Sequence, residues 1–392
     1  MKNTFDIIVL GAGMVGASTA LMFAKKGYSV AIVERQSTAP ESYQLNDEMD
    51  LRQSAISPSS QRLLNQLGVW STVQKQRYCD YQKMTVWHEF GGAEMNFACE
   101  QIGASHLGTI VENRLLQGVL LQQLSGLSNV DLIDGQAITE IHQHENNVEV
   151  VTSKGIKLQA GLLIAADGRD STASRLLNLP STGGSYHQTA IVANVTTEIP
   201  HQRTAWQRFL STGPVAFLPL TNGQCSIVWS ADSERAAALM ELDEKQFLRQ
   251  LTEAFESRLG KVVDSSKRAA FPLNWHSADR WLEGRVLLIG DAAHGVHPLA
   301  GQGVNLGFGD VALLEALYAQ NQPVYCKKTL RKFERQRKAE TVTATHLFSA
   351  LKTIYAQQNP LFCLARDLGM SVVENSQFIK RAVVQNAVNN LA

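Results

Sequence analysis

The sequence predicts an α/β fold with three parts: a mostly parallel sheet assembled from separated segments, an inserted sheet of mixed and more antiparallel character, and a helical C-terminal tail. Three observations lead there. A glycine-rich turn joins a strand-like run to a helix-like one at three distant places, within "FDIIVLGAGMVGASTALMFAKKG", "GLLIAADGRDSTASRLL" and "GRVLLIGDAAHGVHPLAGQGVNLGFGDVALLEAL". Between the second and third lies "GPVAFLPLTNGQCSIVWS", two strand-like runs around Asn222-Gly223, a strong hairpin signal. From Tyr325 onward the texture is helical.

Taken in order, "FDIIVL" is a short β-branched run of the kind that forms a buried parallel strand. The apolar spacing after it is helical and stops at Gly27, a natural helix end. "YSVAIVER" is a second strand, so residues 5–35 form one βαβ unit. Residues 161–177 and 284–317 repeat the strand-to-helix order. In the tail, "KKTLRKFERQRK" carries basic residues at three- and four-residue steps, which reads as a solvated helix face or as a patch for an anionic membrane surface.

Composition removes several classes of function. The chain has 392 residues, 44% of them hydrophobic, enough for a large core. Lys+Arg and Asp+Glu both number 36, so no global field recruits polyanions and nucleic-acid binding is not expected. The five cysteines are odd in number, scattered and never in a CxxC pair, which points to free thiols in a reducing compartment, the cytoplasm. Asp6 and the glycines after "IIVL" argue against a signal peptide, and no stretch reaches the ~18 apolar residues of a spanning helix. Any membrane contact is expected to be peripheral, on the inner face of the cytoplasmic membrane.

Gly11-Ala12-Gly13-Met14-Val15-Gly16 fits GxGxxG in its required setting, with a strand before it, a helix after it, and Glu34, followed by Arg35, closing the next strand. Gly11 allows the tight turn, Gly13 lets a pyrophosphate lie against backbone N–H groups at the positive end of the helix, and Gly16 lets helix and strand pack closely. Glu34 is placed to accept hydrogen bonds from an adenosine ribose and disfavours a 2′-phosphate, leaving FAD or NAD as the bound nucleotide. FAD is long and needs a second set of backbone contacts. "GDAAHGVHPLAGQGVNLG" offers them, with Gly290-Asp291 at a strand end and Gly301, Gln302 and Gly303 at a helix start that would favour the negative charge of a reduced flavin. The domain is then Rossmann-like and discontinuous, built from residues 1–75, 111–180 and 276–325, with a substrate domain from 76–110 and 181–275 and the tail at 326–392.

These motifs together, GxGxxG with Glu34, "ADG" at 166–168 with Ser171 and Arg175, and Gly290-Asp291 with its downstream glycines, resemble the single-component FAD aromatic-ring hydroxylases of the para-hydroxybenzoate hydroxylase class. "AISPSSQRLLNQLGVW", "HLGTIVEN", "AFLPL" and "CSIVWS" are similar to the ubiquinone-biosynthesis hydroxylases, and "SHLGTIVEN", "CSIVWS" and "NPLFCLARDLG" resemble the 2-polyprenylphenol hydroxylases acting at ring C5, with the demethoxyubiquinol hydroxylases close by. The resemblance implies that Gly11 to Gly16 and Glu34 take the ADP half of FAD, that Arg52 lies near the flavin, and that Asp167 and Gly168 serve FAD and the pyridine nucleotide. It also implies that Gly290, Asp291, Pro298, Gly301, Gly303, Val304, Asn305 and Leu306 surround the flavin ring and ribityl chain. Where relatives carry Arg or Gln, this chain has Asn113 with Arg114 adjacent, and either could touch FAD.

The implied reaction uses NADH or NADPH and O2, passes through a flavin C4a-hydroperoxide, and hydroxylates a hydrophobic polyprenyl phenol or quinol in a dry pocket, alone or within a ubiquinone-biosynthesis complex. The rivals are a flavin enzyme acting on another aromatic or prenyl substrate and a non-catalytic FAD subunit. Phe217, Trp229 and Pro298 are the pocket residues expected, although aromatic residues on strands are more often core. His294 and His297 lack a third ligand at metal spacing and read as hydrogen-bonding residues beside the flavin, so no metal is expected. No catalytic base is assignable.

Overall fold

Three strands that are apolar along most of their length lie side by side in parallel: Val286–Leu288, Lys157–Ala165 and Thr4–Leu10. Val30–Val33 and Val130–Ile133 extend the same sheet, also in parallel. A computed structural model describes residues 3–45, 47–295, 303–318, 322–356 and 359–389. Pro298, Gly301, Gln302 and His297 lie outside the described residues. Strands buried on both faces need cover on both, and the largest apolar core of the molecule supplies it.

Helices packed on the sheets include α1 (Met14–Lys25), α2 (Asn113–Ser125), α3 (Ser233–Glu241), α4 (Glu244–Ala254), α5 (Gly303–Leu317), α6 (Lys327–Ala356), α7 (Pro360–Asn375) and α8 (Gln377–Asn389). α1 stops just before Gly27, whose φ of 91° is the left-handed conformation that ends a helix.

A second sheet is built mainly from antiparallel strands, and its centre runs Ser181–Thr197, Cys225–Asp232, Gly213–Pro219, Thr204–Leu210 and Lys83–His88. Asn222-Gly223 lies in the turn of the hairpin between Gly213–Pro219 and Cys225–Asp232, as its sequence predicts. The last pair, Thr204–Leu210 with Lys83–His88, is parallel, which makes the sheet mixed. Its two faces have different neighbours. Ile191, Phe217, Ile227 and Trp229 pack with Phe247, Leu251 and Phe255 of the α4 region, whereas Ala205 and Leu218 pack with Ala55 and Ile110 of a small three-stranded sheet. α6 to α8 follow as the helical tail.

Candidate functional site

The carboxyl ends of three adjacent parallel strands open into the three glycine turns, so segments up to 280 residues apart in the chain meet at one edge. In open α/β sheets this edge is where ligands bind. The contacts between the turns are tight. A Cβ on Gly11 would lie 2.5 Å from the Ala166 carbonyl oxygen, and one on Gly16 only 2.0 Å from the Gly11 oxygen, so neither position tolerates a side chain. Val15 links the first turn to the third: a Cβ on Gly290 would lie 3.2 Å from its Cγ1, and one on Gly307 2.4 Å from its Cγ2.

Three other glycines behave differently. Gly13, Gly168 and Gly303 would each place a Cβ in open space, with nothing within 4 Å among the described residues. Gly13 is the residue before α1, Gly168 follows Asp167, and Gly303 begins α5. Packing does not require glycine at Gly13 or Gly303, while the φ of 85° at Gly168 favours glycine by itself. Open backbone at two helix starts is the cradle that a long dinucleotide demands. Asp167 has a further feature: its Oδ2 accepts from the N–H of Thr172 at 2.7 Å and of Ala173 at 3.3 Å, the Ser171 hydroxyl acts on the same carboxyl, and its buried Oδ1 has no hydrogen-bond partner among the described residues. Burial raises the Asp167 pKa against the pull of those bonds. These features fit FAD.

Glu34 lies at the end of its strand with one carboxylate oxygen accepting from the Ala12 N–H at 2.7 Å and the other from Gln36 N–H at 2.8 Å. Arg35 beside it is exposed. Across the edge, Asp291 keeps open access to solvent, yet the surrounding protein desolvates its carboxyl and raises its pKa. His294, Arg169, Arg52 and His276 oppose that shift, which brings the sequence-distant Arg52 into the electrostatic surroundings of Asp291. Asn305 is buried and straps α5 to the strand after Arg52: its Nδ2 donates to Ala55 O at 2.7 Å and its Oδ1 accepts from Ser57 N at 3.0 Å. Val304 is half-buried next to it, and Leu306 is buried.

Asn113 and Arg114 separate. Asn113 takes the Ser54 hydroxyl on its Oδ1 at 2.7 Å and donates its N–H to Arg52 O, whereas Arg114 turns to Asp50 at 3.8 Å. Gln117, one turn further along α2, donates to Ala12 O at 2.9 Å and so touches the first glycine turn. The sequence offered no motif for it.

The sequence also missed a buried ionic network behind the third turn. Asp310 of α5 is fully buried; its Oδ2 accepts from Gly290 N at 2.7 Å and meets His294 Nε2 at 2.8 Å, and its Oδ1 accepts from Arg337 Nε at 2.7 Å. Arg337 also donates to Leu306 O at 2.8 Å and to Glu340. Trp281 stacks on the His294 ring at 4.9 Å. Burial alone would favour protonated Asp310, but His294 and Arg337 outweigh it and hold the carboxyl below the usual range. His294 is thus a hydrogen-bonding residue beside the turn. Arg337 corrects the reading of "KKTLRKFERQRK" as a solvated face: Lys327, Lys328, Arg331, Lys332 and Arg335 are exposed, but Arg337 points inward.

Phe217 and Trp229 sit among the helices of the second sheet. Both are buried on the face of the second sheet that packs on α4, where Phe217 stacks on Phe255 at 3.8 Å and Trp229 lies 6.2 Å from Phe247. Alternation along a strand sends neighbouring residues to opposite faces. The face turned to the strand after Arg52 therefore carries Val192, Asn194, Gln207, Ala216, Leu218 and Val228, and Asn194 bonds Gln53 and Met49 there.

Residues 4–341 match the FAD binding domain family. The 3-demethoxyubiquinol 3-hydroxylase of Escherichia coli K12 is 32% identical over 389 residues, covering 98% of each chain. Two further relatives are the mitochondrial ubiquinone biosynthesis monooxygenase COQ6 of Danio rerio, 31% identical over 98% of this chain and 89% of its own, and the ubiquinone hydroxylase UbiL of Rhodospirillum rubrum, 32% identical over 98% and 90%. Among solved structures, p-nitrophenol 4-monooxygenase PnpA of Pseudomonas putida superposes with a TM-score of 0.79 over 99% of each chain at 20% identity. Klebsiella pneumoniae HpxO, complexed with FAD and uric acid, superposes with a TM-score of 0.75 over 98% of this chain and 97% of its own at 18% identity. At those identities the structures speak for the fold, and the sequence relatives for the family. The chain belongs to the FAD binding domain family, as an FAD-dependent monooxygenase among the ubiquinone-biosynthesis hydroxylases.

Proposed function

We propose that the enzyme hydroxylates the ring of a polyprenylated phenol or quinol, with C5 the favoured position. Gly11 to Gly16, with Glu34, hold the ADP half of FAD, and Gly290, Asp291, Gly303, Val304, Asn305 and Leu306, with Arg52, hold the flavin half. When bound, FAD accepts hydride from NADH or NADPH and, once reduced, activates O2 for transfer to an electron-rich ring carbon.

The chain's own residues orient and exclude water. Asp291, with Arg169 and Arg52 in its electrostatic surroundings, is placed to fix a ribityl hydroxyl, and the start of α5 supplies N–H groups where negative charge collects. The observation that carries the substrate reading is the composition of the sheet face turned to Arg52 and Ala55. Val192, Ala216, Leu218 and Val228 are small or apolar, and Asn194 and Gln207 are neutral. These six residues offer no cation to a carboxylate, which favours a neutral ring with an apolar tail.

The 32% identity to a 3-demethoxyubiquinol 3-hydroxylase supports a second reading, hydroxylation of demethoxyubiquinol. Incubation with NADH or NADPH, isotopically labelled dioxygen and short-tailed prenylphenol or demethoxyubiquinol separates the two. One labelled oxygen is expected in the prenylphenol product, at C5. Nucleotide oxidation that yields only hydrogen peroxide with both substrates contradicts that expectation. Among the described residues no helix is long and apolar enough to cross a membrane, so a lipid substrate calls for peripheral contact.

A further inference from the structure

Helix α7 is built inside out. All of its charged residues bond inward: Arg366 donates to His88 Nδ1 at 3.0 Å, Asp367 accepts from His88 Nε2 at 2.6 Å, and Glu374 accepts from Asn96 N at 2.8 Å and from Lys380 at 2.6 Å. Its exposed face carries Leu364, Leu368 and Val372 at successive four-residue steps, with Phe362 beside them. Leu368 is 60% exposed, and Phe378, just beyond at the start of α8, is 84% exposed. Amphipathic helices of soluble proteins show the opposite arrangement, and a contiguous outward apolar stripe marks a docking surface.

We infer that this face of α7 and the start of α8 lie in the surface of a lipid bilayer; the inference rests on the polyprenyl reading of the substrate. Two features select the bilayer over a second copy of this chain. The exposed α7 stripe offers no charged side chain to fix the register of a protein partner, while α8 contains no acidic residue and exposes Arg381, a sign suited to anionic headgroups. In addition, the inner side of the same helix continues into the substrate sheet. Met370 shares an apolar cluster with Phe209, Val86 and Tyr355, and Phe209 stacks on Tyr355 at 3.9 Å. Phe209 follows Ala205 and Gln207 at two-residue steps along its strand, on the face assigned above to the ring. One helix thus separates a lipid-facing stripe from the sheet face that would receive a lipid's head. At 16 residues α7 is about 24 Å long, which suits a helix lying in the interface rather than crossing it.

The test uses the full-length FAD-loaded enzyme, vesicles of phosphatidylcholine alone or with phosphatidylglycerol, and the variant Leu364→Glu/Leu368→Glu. The wild type should co-sediment, more strongly with the anionic vesicles, and the variant should lose at least fivefold in bound fraction while keeping its FAD and its turnover of a short-tailed, water-soluble prenylphenol. Amide exchange of the wild type should slow across residues 360–380 when vesicles are added, a readout that does not depend on the variant folding. Equal vesicle binding by both proteins, or unchanged exchange in that segment, overturns the inference. So does a wild-type dimer that the variant converts to monomer in the absence of lipid. Failure of the substrate reading looks different: no prenylphenol is turned over by the wild type, whether or not vesicles bind.

Discussion

Asp310 and His294, sixteen residues apart, meet at 2.8 Å with both side chains buried, and through them the third glycine turn is tied to Arg337 of α6. The same carboxylate takes the Gly290 N–H, so one buried charge positions the backbone immediately before Asp291. Asp310→Asn leaves Arg337 without its buried counter-charge and should cost roughly 3–5 kcal/mol of stability by chemical denaturation. Because the Asp310 pKa is depressed, its contribution is present above the ordinary aspartate range and is lost only as pH falls through the lowered value. The stability gap between wild type and variant should stay level from pH 7 to about 5 and close in stronger acid.

Two alanine substitutions separate binding from folding in the first turn. Gly13 has φ −64°, open to any residue, and free space where a Cβ would go. Gly13→Ala should therefore fold within about 1 kcal/mol of wild type yet lose more than about tenfold in FAD affinity, because the methyl occupies the pyrophosphate's approach. Gly16→Ala should fail to accumulate as folded protein, since its Cβ meets the Gly11 backbone. Fluorescence titration and thermal melts check both.

Asp291→Asn should raise the melting temperature of the apoprotein at pH 8 while weakening FAD binding. Desolvation disfavours the ionised carboxyl and raises its pKa, so the cost is present above that value and disappears as pH falls through it. The stabilisation by asparagine should shrink in the same direction. A melting temperature that is lowered, or insensitive to pH, contradicts this assignment.

Much of this site was legible because its constraints are local. A strand, a glycine turn and a helix start are contiguous in sequence, so Gly11 to Gly16, Asp167 and Asp291 could be read off three short windows, and the sheet puts them on one edge. Arg337 was not legible because it sits in a run of solvated basic residues and its partner is 27 positions away. The facing of Phe217 and Trp229 was not legible for a different reason: a strand's pattern shows that its two faces differ, but not which face the helices cover. Gln117 contacts Ala12 across 105 residues with no spacing to announce it.

The two faces of the second sheet should differ kinetically. Trp229→Phe should lower stability but leave kcat/KM for the prenylphenol within about threefold, because Trp229 packs on Phe247 behind the sheet. Val228→Trp, one residue away and half-buried on the opposite face, should reduce kcat/KM more than about tenfold. The reverse ranking would return the pocket to the Trp229 side.

ADP and FAD titrations of the wild type, Gly13→Ala and Asp291→Asn probe most directly whether two distant turns grip opposite ends of one cofactor. ADP reaches only the first turn, so Gly13→Ala should weaken both ligands, whereas Asp291→Asn should weaken FAD and leave ADP unchanged. Equal losses of ADP and FAD affinity in Asp291→Asn, or full ADP affinity in Gly13→Ala, would contradict the account.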